Sequence, residues 1–157
     1  LPNLIGVLVE SPAAVEGYLT LSGILEKSSL GAAERQLLLL TISAANGCEY
    51  FVAAHTMGGR GSGLDEAVIE AIRDGNPSPD ARLAAVNAFA RVLYEKRGWA
   101  TGEDVAAFLG AGYTKANVLD VVLATVLKTI SNYTNHIADT PLDGVMEPAR
   151  WSKSEAA

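Results

Sequence analysis

Apolar and polar positions along this chain repeat with the period of a helix rather than that of a strand. Val118, Val122, Val126, Ile130, Tyr133 and Ile137 recur every three or four residues. Leu119, Leu123 and Leu127 form a second stripe beside them, which predicts one long helix with a broad apolar face opening at Thr114. Leu83, Val86, Phe89, Ala90 and Leu93 share one face of a second helix that starts at Ser78-Pro79-Asp80 and ends at Arg97-Gly98. Ser11-Pro12 reads as an N-cap with proline at the first helical position, and its helix runs to about Lys27. Leu37 to Leu40 are consecutive leucines that point in every direction from a helix axis. The helix from Gly31-Ala32 to Asn46-Gly47 is therefore expected to be central and buried nearly all round. Shorter helices are expected from Cys48 to Gly58-Gly59, over Leu64–Arg73, and from Thr101 to Leu109. Asp104 completes a capping box at Thr101.

The Gly58–Gly63 stretch reads as a flexible loop. It lacks a following Lys-Ser/Thr, so it is not read as a phosphate cradle. The tail from Thr140 holds Pro141, Gly144 and Pro148 and is expected to be irregular, with Trp151 as an anchor on the body or on a neighbouring subunit. The sum is an all-α bundle of about six to seven helices, without a sheet. Residues 1–157 read as a single domain, since no linker or internal repeat divides them.

Composition narrows the functional classes. Apolar residues make up 49% and charged residues 19%, enough for a real core. The formal charge of −6 argues against a general nucleic-acid binder, which needs a basic surface. No apolar run approaches the ~18 residues of a spanning helix, and no signal peptide is apparent, so a cytoplasmic protein is expected without membrane association. One cysteine and two histidines allow no intramolecular disulfide and make a metal site unconvincing. No cofactor is expected.

The chemistry concentrates in Asn46-Gly-Cys-Glu-Tyr-Phe-Val-Ala-Ala-His55. Gly47 ends one helix and Cys48 opens the next, where free backbone N–H groups and the helix dipole favour a thiolate. His55 lies two turns later on roughly the same face, about 10.5 Å along the axis. It cannot reach Cys48 directly. Phe51 sits one turn from each and touches both, but transfers no proton.

This segment resembles the redox motif of the alkylhydroperoxidase AhpD-like, carboxymuconolactone decarboxylase family. That motif has two cysteines separated by two residues and a histidine four after the second. Glu34-Arg35-Gln36 with its leucine-rich helix also fits, as does Asn132-Tyr-Thr-Asn-His136-Ile-Ala-Asp139-Thr-Pro-Leu-Asp143. The resemblance implies an all-helical homo-oligomer, a trimer or a hexamer of trimers, with a site between helices. In redox-active members the second cysteine attacks a hydroperoxide, the first resolves it, and the histidine relays protons with an acid on the preceding helix. By this resemblance Cys48, His55 and Gln36 are the catalytic candidates, with Gln36 at the position of the relay acid. Phe51, in place of the second cysteine, lines the pocket with Tyr50 and Glu34, although Glu34 is about 200° round the helix from Gln36.

Three functions follow as expectations. One is a thiol antioxidant that reduces a hydroperoxide at Cys48, impaired or altered by Phe51 and completed by an external thiol. Another is an acid–base enzyme using His55 on a small organic acid. The last is a non-catalytic oligomer that binds a small molecule. His136 is expected to serve packing or a subunit contact, with Asn132 and Asn135 forming a polar strip suited to an interface.

Overall fold

The computed structural model describes residues 1–153. Eight α-helices and one 3-10 turn, with no strand, make up the described residues: α1 (Asn3–Leu8), α2 (Pro12–Leu25), α3 (Ala32–Ala45), α4 (Glu49–Gly61), α5 (Glu66–Arg73), α6 (Ala81–Glu95), α7 (Gly102–Gly110), α8 (Lys115–Ala138) and the turn Gly144–Ala149. The count exceeds the expected six to seven by the short α1 and the turn in the tail. Neither has an amphipathic repeat long enough to announce itself. Asp143 secures α1 from the far end of the chain: its carboxylate accepts the Asn3 N–H at 3.0 Å and 3.3 Å.

The predicted starts are capped as the residue types require. Ser11, Asp80, Thr101 and Thr114 each accept a backbone N–H in the first turn of α2, α6, α7 and α8. Helix α3 is the hub, packed chiefly against α4, α6, α8 and α5. Leu37, Leu38 and Leu40 are wholly inaccessible and Leu39 nearly so, as four leucines in a row demand. Phe89, Phe108 and Tyr113 stack in series at centroid distances of 4.6 Å and 4.5 Å, tying α7 to α6.

Helix α8 departs from its expected orientation. Val122, Val126, Tyr133 and Ile137, read as its core stripe, are exposed, as is Leu119. The face turned to the body carries Val121, Ala124, Leu127, Lys128, Ser131, Asn132 and Asn135. The polar strip expected at an interface is thus internal, while His136 is exposed. The stripe has the right period but the wrong direction, because the inward positions carry the groups that line the site.

The tail is irregular apart from its 3-10 turn, and Trp151 docks on the body: its indole N–H donates to the Arg73 carbonyl at 3.1 Å. The Arg73 guanidinium in turn donates to Thr56 Oγ1 at 2.9 Å and to the carbonyls of Ala149 and Arg150, both at 3.0 Å. Arg73→Met removes these donors and leaves the Thr56 hydroxyl without its partner. It is expected to destabilise the fold by about 1–3 kcal/mol. Chemical denaturation measures the loss, and a red shift of the Trp151 fluorescence reports release of the tail.

Candidate functional site

The turn between α3 and α4 sets the site. Gly47 takes a left-handed conformation (φ +67°), which ends α3 and places Cys48 at the N-cap of α4. Cys48 is 1% exposed. Burial pushes its thiol above the ordinary range, outweighing the lowering effects of the Phe51 and Tyr50 N–H groups, the Asn135 amide and the Lys128 charge. The activated thiolate expected from the helix start is therefore not favoured here. Asn135 Nδ2 lies 3.9 Å from Sγ.

His55, one turn beyond Phe51, is half-buried and engaged at both ring nitrogens. Nδ1 lies 3.0 Å from Gln36 Oε1. With an amide oxygen facing it, Nδ1 carries the hydrogen and donates, which leaves Nε2 as an acceptor. That acceptor meets the amine of Lys128, with Nζ at 2.8 Å. Gln36 reaches His55 because Gly58, three residues after it, has no side chain. A Cβ there would lie 2.4 Å from Gln36 Oε1. The expected loop is therefore helical through Gly61, and its first glycine serves a close approach.

Lys128 joins the site through structure rather than motif. It is 1% exposed, and no ion pair among the described residues includes it. Its Nζ stands 3.2 Å from the centroid of the Phe51 ring. Phe51 also stacks on His55, with centroids 5.3 Å apart and planes at 22°. The residue in the second-cysteine position thus presents its π face to a cation. Burial lowers the proton affinity of both His55 and Lys128 well below their ordinary ranges, and the Lys128 charge depresses His55 further. A visible signal for Lys128 existed in the sequence, namely a lysine three residues from Ser131 and four from Asn132, which marks a polar line along α8.

Two expected pocket residues point elsewhere. Glu34 caps α3 by accepting the Gly31 N–H at 2.8 Å, and it binds Arg82 Nε at 3.1 Å and the Tyr113 hydroxyl at 2.8 Å. Lying about 200° round the helix from Gln36, it does not line the site. Tyr50 touches Phe51 edge-on at 5.3 Å, but its hydroxyl is drawn to the Asp143 carboxylate and accepts the Leu4 N–H. It braces α1 and the tail against α4. No group of three or more His, Cys, Asp or Glu side chains suited to a metal occurs among the described residues.

The profile of the carboxymuconolactone decarboxylase family matches residues 12–95, which span α2 to α6 and include Gln36, Cys48, Phe51 and His55. The chain belongs to this family. No curated protein matches it significantly. Among solved structures, it is similar to a protein from Ralstonia eutropha JMP134 described as an uncharacterized peroxidase-related protein with an alkylhydroperoxidase AhpD core. That alignment has a TM-score of 0.86 and 21% identity over 98% of this chain and 83% of that one. An uncharacterized peroxidase-related protein from Silicibacter sp. TM1040 aligns with a TM-score of 0.81 and 18% identity, over 92% and 78% of the two chains. At these identities the likeness establishes the AhpD-like fold. No helix of the described residues is long and apolar enough to cross a membrane.

The buried amine has a consequence for stability. Lys128 holds its proton less tightly in the folded chain than in the unfolded one. The unfolded chain therefore binds more protons below the ordinary lysine range, and stability rises with pH there. Lys128→Met removes this dependence and leaves a side chain of similar length in an apolar site. Denaturation from about pH 7 to about pH 9 is expected to show the variant at least as stable as the parent at the lower pH. The difference should narrow as pH rises. A difference independent of pH would contradict a depressed lysine.

Proposed function

We propose that this member of the carboxymuconolactone decarboxylase family works by proton transfer at His55 on a small organic acid. The contact that carries the reading is Gln36 Oε1 to His55 Nδ1 at 3.0 Å. It fixes the tautomer that aims the Nε2 lone pair at Lys128, and burial keeps the imidazole neutral, so Nε2 is free to accept a proton and holds it only weakly. Gln36 orients the ring through Nδ1, His55 exchanges the proton at Nε2, and Lys128 supplies or receives it there. None of these steps uses Cys48. His55→Ala is expected to abolish turnover of a candidate acid, followed by loss of substrate, while Cys48→Ala retains it. The reverse pattern would assign the chemistry to the thiol.

Hydroperoxide reduction is the second reading, favoured by the Asn135 amide and the Lys128 charge beside Sγ, and by the peroxidase-related description of both structural neighbours. Cys48 would take one oxygen from the hydroperoxide, release an alcohol, and be returned from sulfenic acid by two equivalents of an external thiol. With Phe51 opposite, no second thiol of the motif resolves it internally. Stoichiometric peroxide followed by mass spectrometry should add one oxygen to Cys48 under this reading. A buried thiol that stays unmodified excludes it. Phe51→Cys restores the pair and is expected to form an intramolecular disulfide under oxidant, detected by thiol titration.

The outward stripe of α8 supports a homo-oligomer. Val122, Val126 and Tyr133, with Leu93, Tyr94 and Arg97, border a groove of about 570 Å³. We read this face as the contact with a second copy, as the family resemblance implies. Val126→Glu is expected to shift the protein to a smaller species in light scattering coupled to size-exclusion chromatography.

A further inference from the structure

We infer that Lys128 is a nucleophilic amine that forms an imine with a small carbonyl-bearing acid. This deepens the proton-transfer reading of the same site and rests on it. Three observations meet at Nζ. The side chain is sealed from solvent, yet no carboxylate pairs with it among the described residues, so it is not one half of a buried ion pair. Its hydrogen-bond partner is a base, His55 Nε2 at 2.8 Å, which is positioned to take a proton from the attacking nitrogen. Its other neighbour is the face of Phe51, which stabilises the cation that a protonated imine carries. A desolvated lysine in an apolar setting is the form in which this side chain attacks carbonyl carbon.

A fourth observation points to the acid group. Asn132 lies one turn beyond Lys128 on the buried face of α8 and is wholly inaccessible, yet neither atom of its amide has a partner among the described residues. An unpaired buried amide is costly, and its N–H₂ is suited to a carboxylate oxygen delivered beside Nζ. His55 is half-buried whereas Lys128, Phe51 and Asn132 are buried, so the imidazole lies nearer to solvent than the amine it contacts.

The step balances without an oxidant. The Nζ lone pair forms the new C–N bond while the carbonyl π pair moves to oxygen. Two protons reach that oxygen through His55 Nε2, one from the attacking nitrogen and one from solvent, so it leaves as water and the C=N bond forms as an iminium. In a 3-oxo acid the iminium then draws in the C–C pair released with carbon dioxide. His55 returns a proton to carbon, and water hydrolyses the imine to regenerate the amine.

The test uses the intact chain, glyoxylate as the probe and cyanoborohydride to trap the imine, with peptide mapping by mass spectrometry. The expected result is a single adduct on Lys128, formed at least ten-fold faster than on the exposed Lys27, Lys96 and Lys115. Asn132→Leu should slow it several-fold, and Lys128→Met should lack it. An adduct confined to the exposed lysines, with Lys128 unmodified in the parent protein, overturns the inference whether or not the variants fold. Turnover separates the two proposals. If His55→Ala abolishes turnover while Lys128 is never trapped, proton transfer stands and the imine falls. If His55→Ala still turns over while Lys128 is trapped, the imine stands with solvent carrying its protons, and His55 loses its assigned role.

Discussion

A lysine amine enclosed by protein, with no carboxylate to neutralise it, must find its stabilisation in polar and aromatic neighbours or give up its proton. Lys128 does the first through His55 Nε2 and the Phe51 ring, and burial presses it toward the second. Much of the surrounding architecture follows from this constraint. His55 can serve as acceptor because Gln36 holds its other nitrogen as the donor. Gln36 can do so because Gly58 leaves room for its amide. Phe51 can stack on His55 and face the amine because Gly47 turns the chain so that α4 begins at Cys48. These contacts form one connected chain that ends at the ring nitrogen facing Nζ.

The same constraint explains the two faces of α8. A helix that buries Lys128, Ser131, Asn132 and Asn135 cannot also bury its full apolar stripe, since the two lie on different sides of one cylinder. Leu119, Val122, Val126, Tyr133 and Ile137 are left facing out. An exposed stripe of this length is unusual for a chain that stays alone, which is why it supports a second copy as its cover.

Much of the bundle was legible in the sequence because its signals are local. Caps at Ser11, Thr101 and Thr114 and four successive leucines act within one helix, and the structure keeps them. The Cys48, Phe51 and His55 spacing was legible for the same reason, as residues at three, four and seven positions share a helix face. Glu34 was misread because adjacency in sequence suggested adjacency in space, whereas its carboxylate serves the start of its own helix and Tyr113. Lys128 could not be placed from the motif. It lies 73 residues from His55, and at the end of an apolar run it looks like the boundary of a buried helix segment. Orientation of α8 needed knowledge of what the inward face must accommodate, which periodicity does not carry.

Phe51 connects these points. A thiol in that position would be a proton-bearing, redox-active partner for Cys48, and the nearby Lys128 amine would serve it as a counter-charge. A phenyl ring there is inert to oxidants and offers only a π face, so among the described residues no carboxylate pairs with the amine and His55 is its hydrogen-bond partner. The substitution therefore does more than remove a redox group. It leaves the buried Lys128 amine between an aromatic face and the imidazole of His55. On the proposed reading, dithiol and amine chemistry are alternatives at position 51: a thiol there would pair with Cys48, whereas the phenyl ring leaves the amine facing His55.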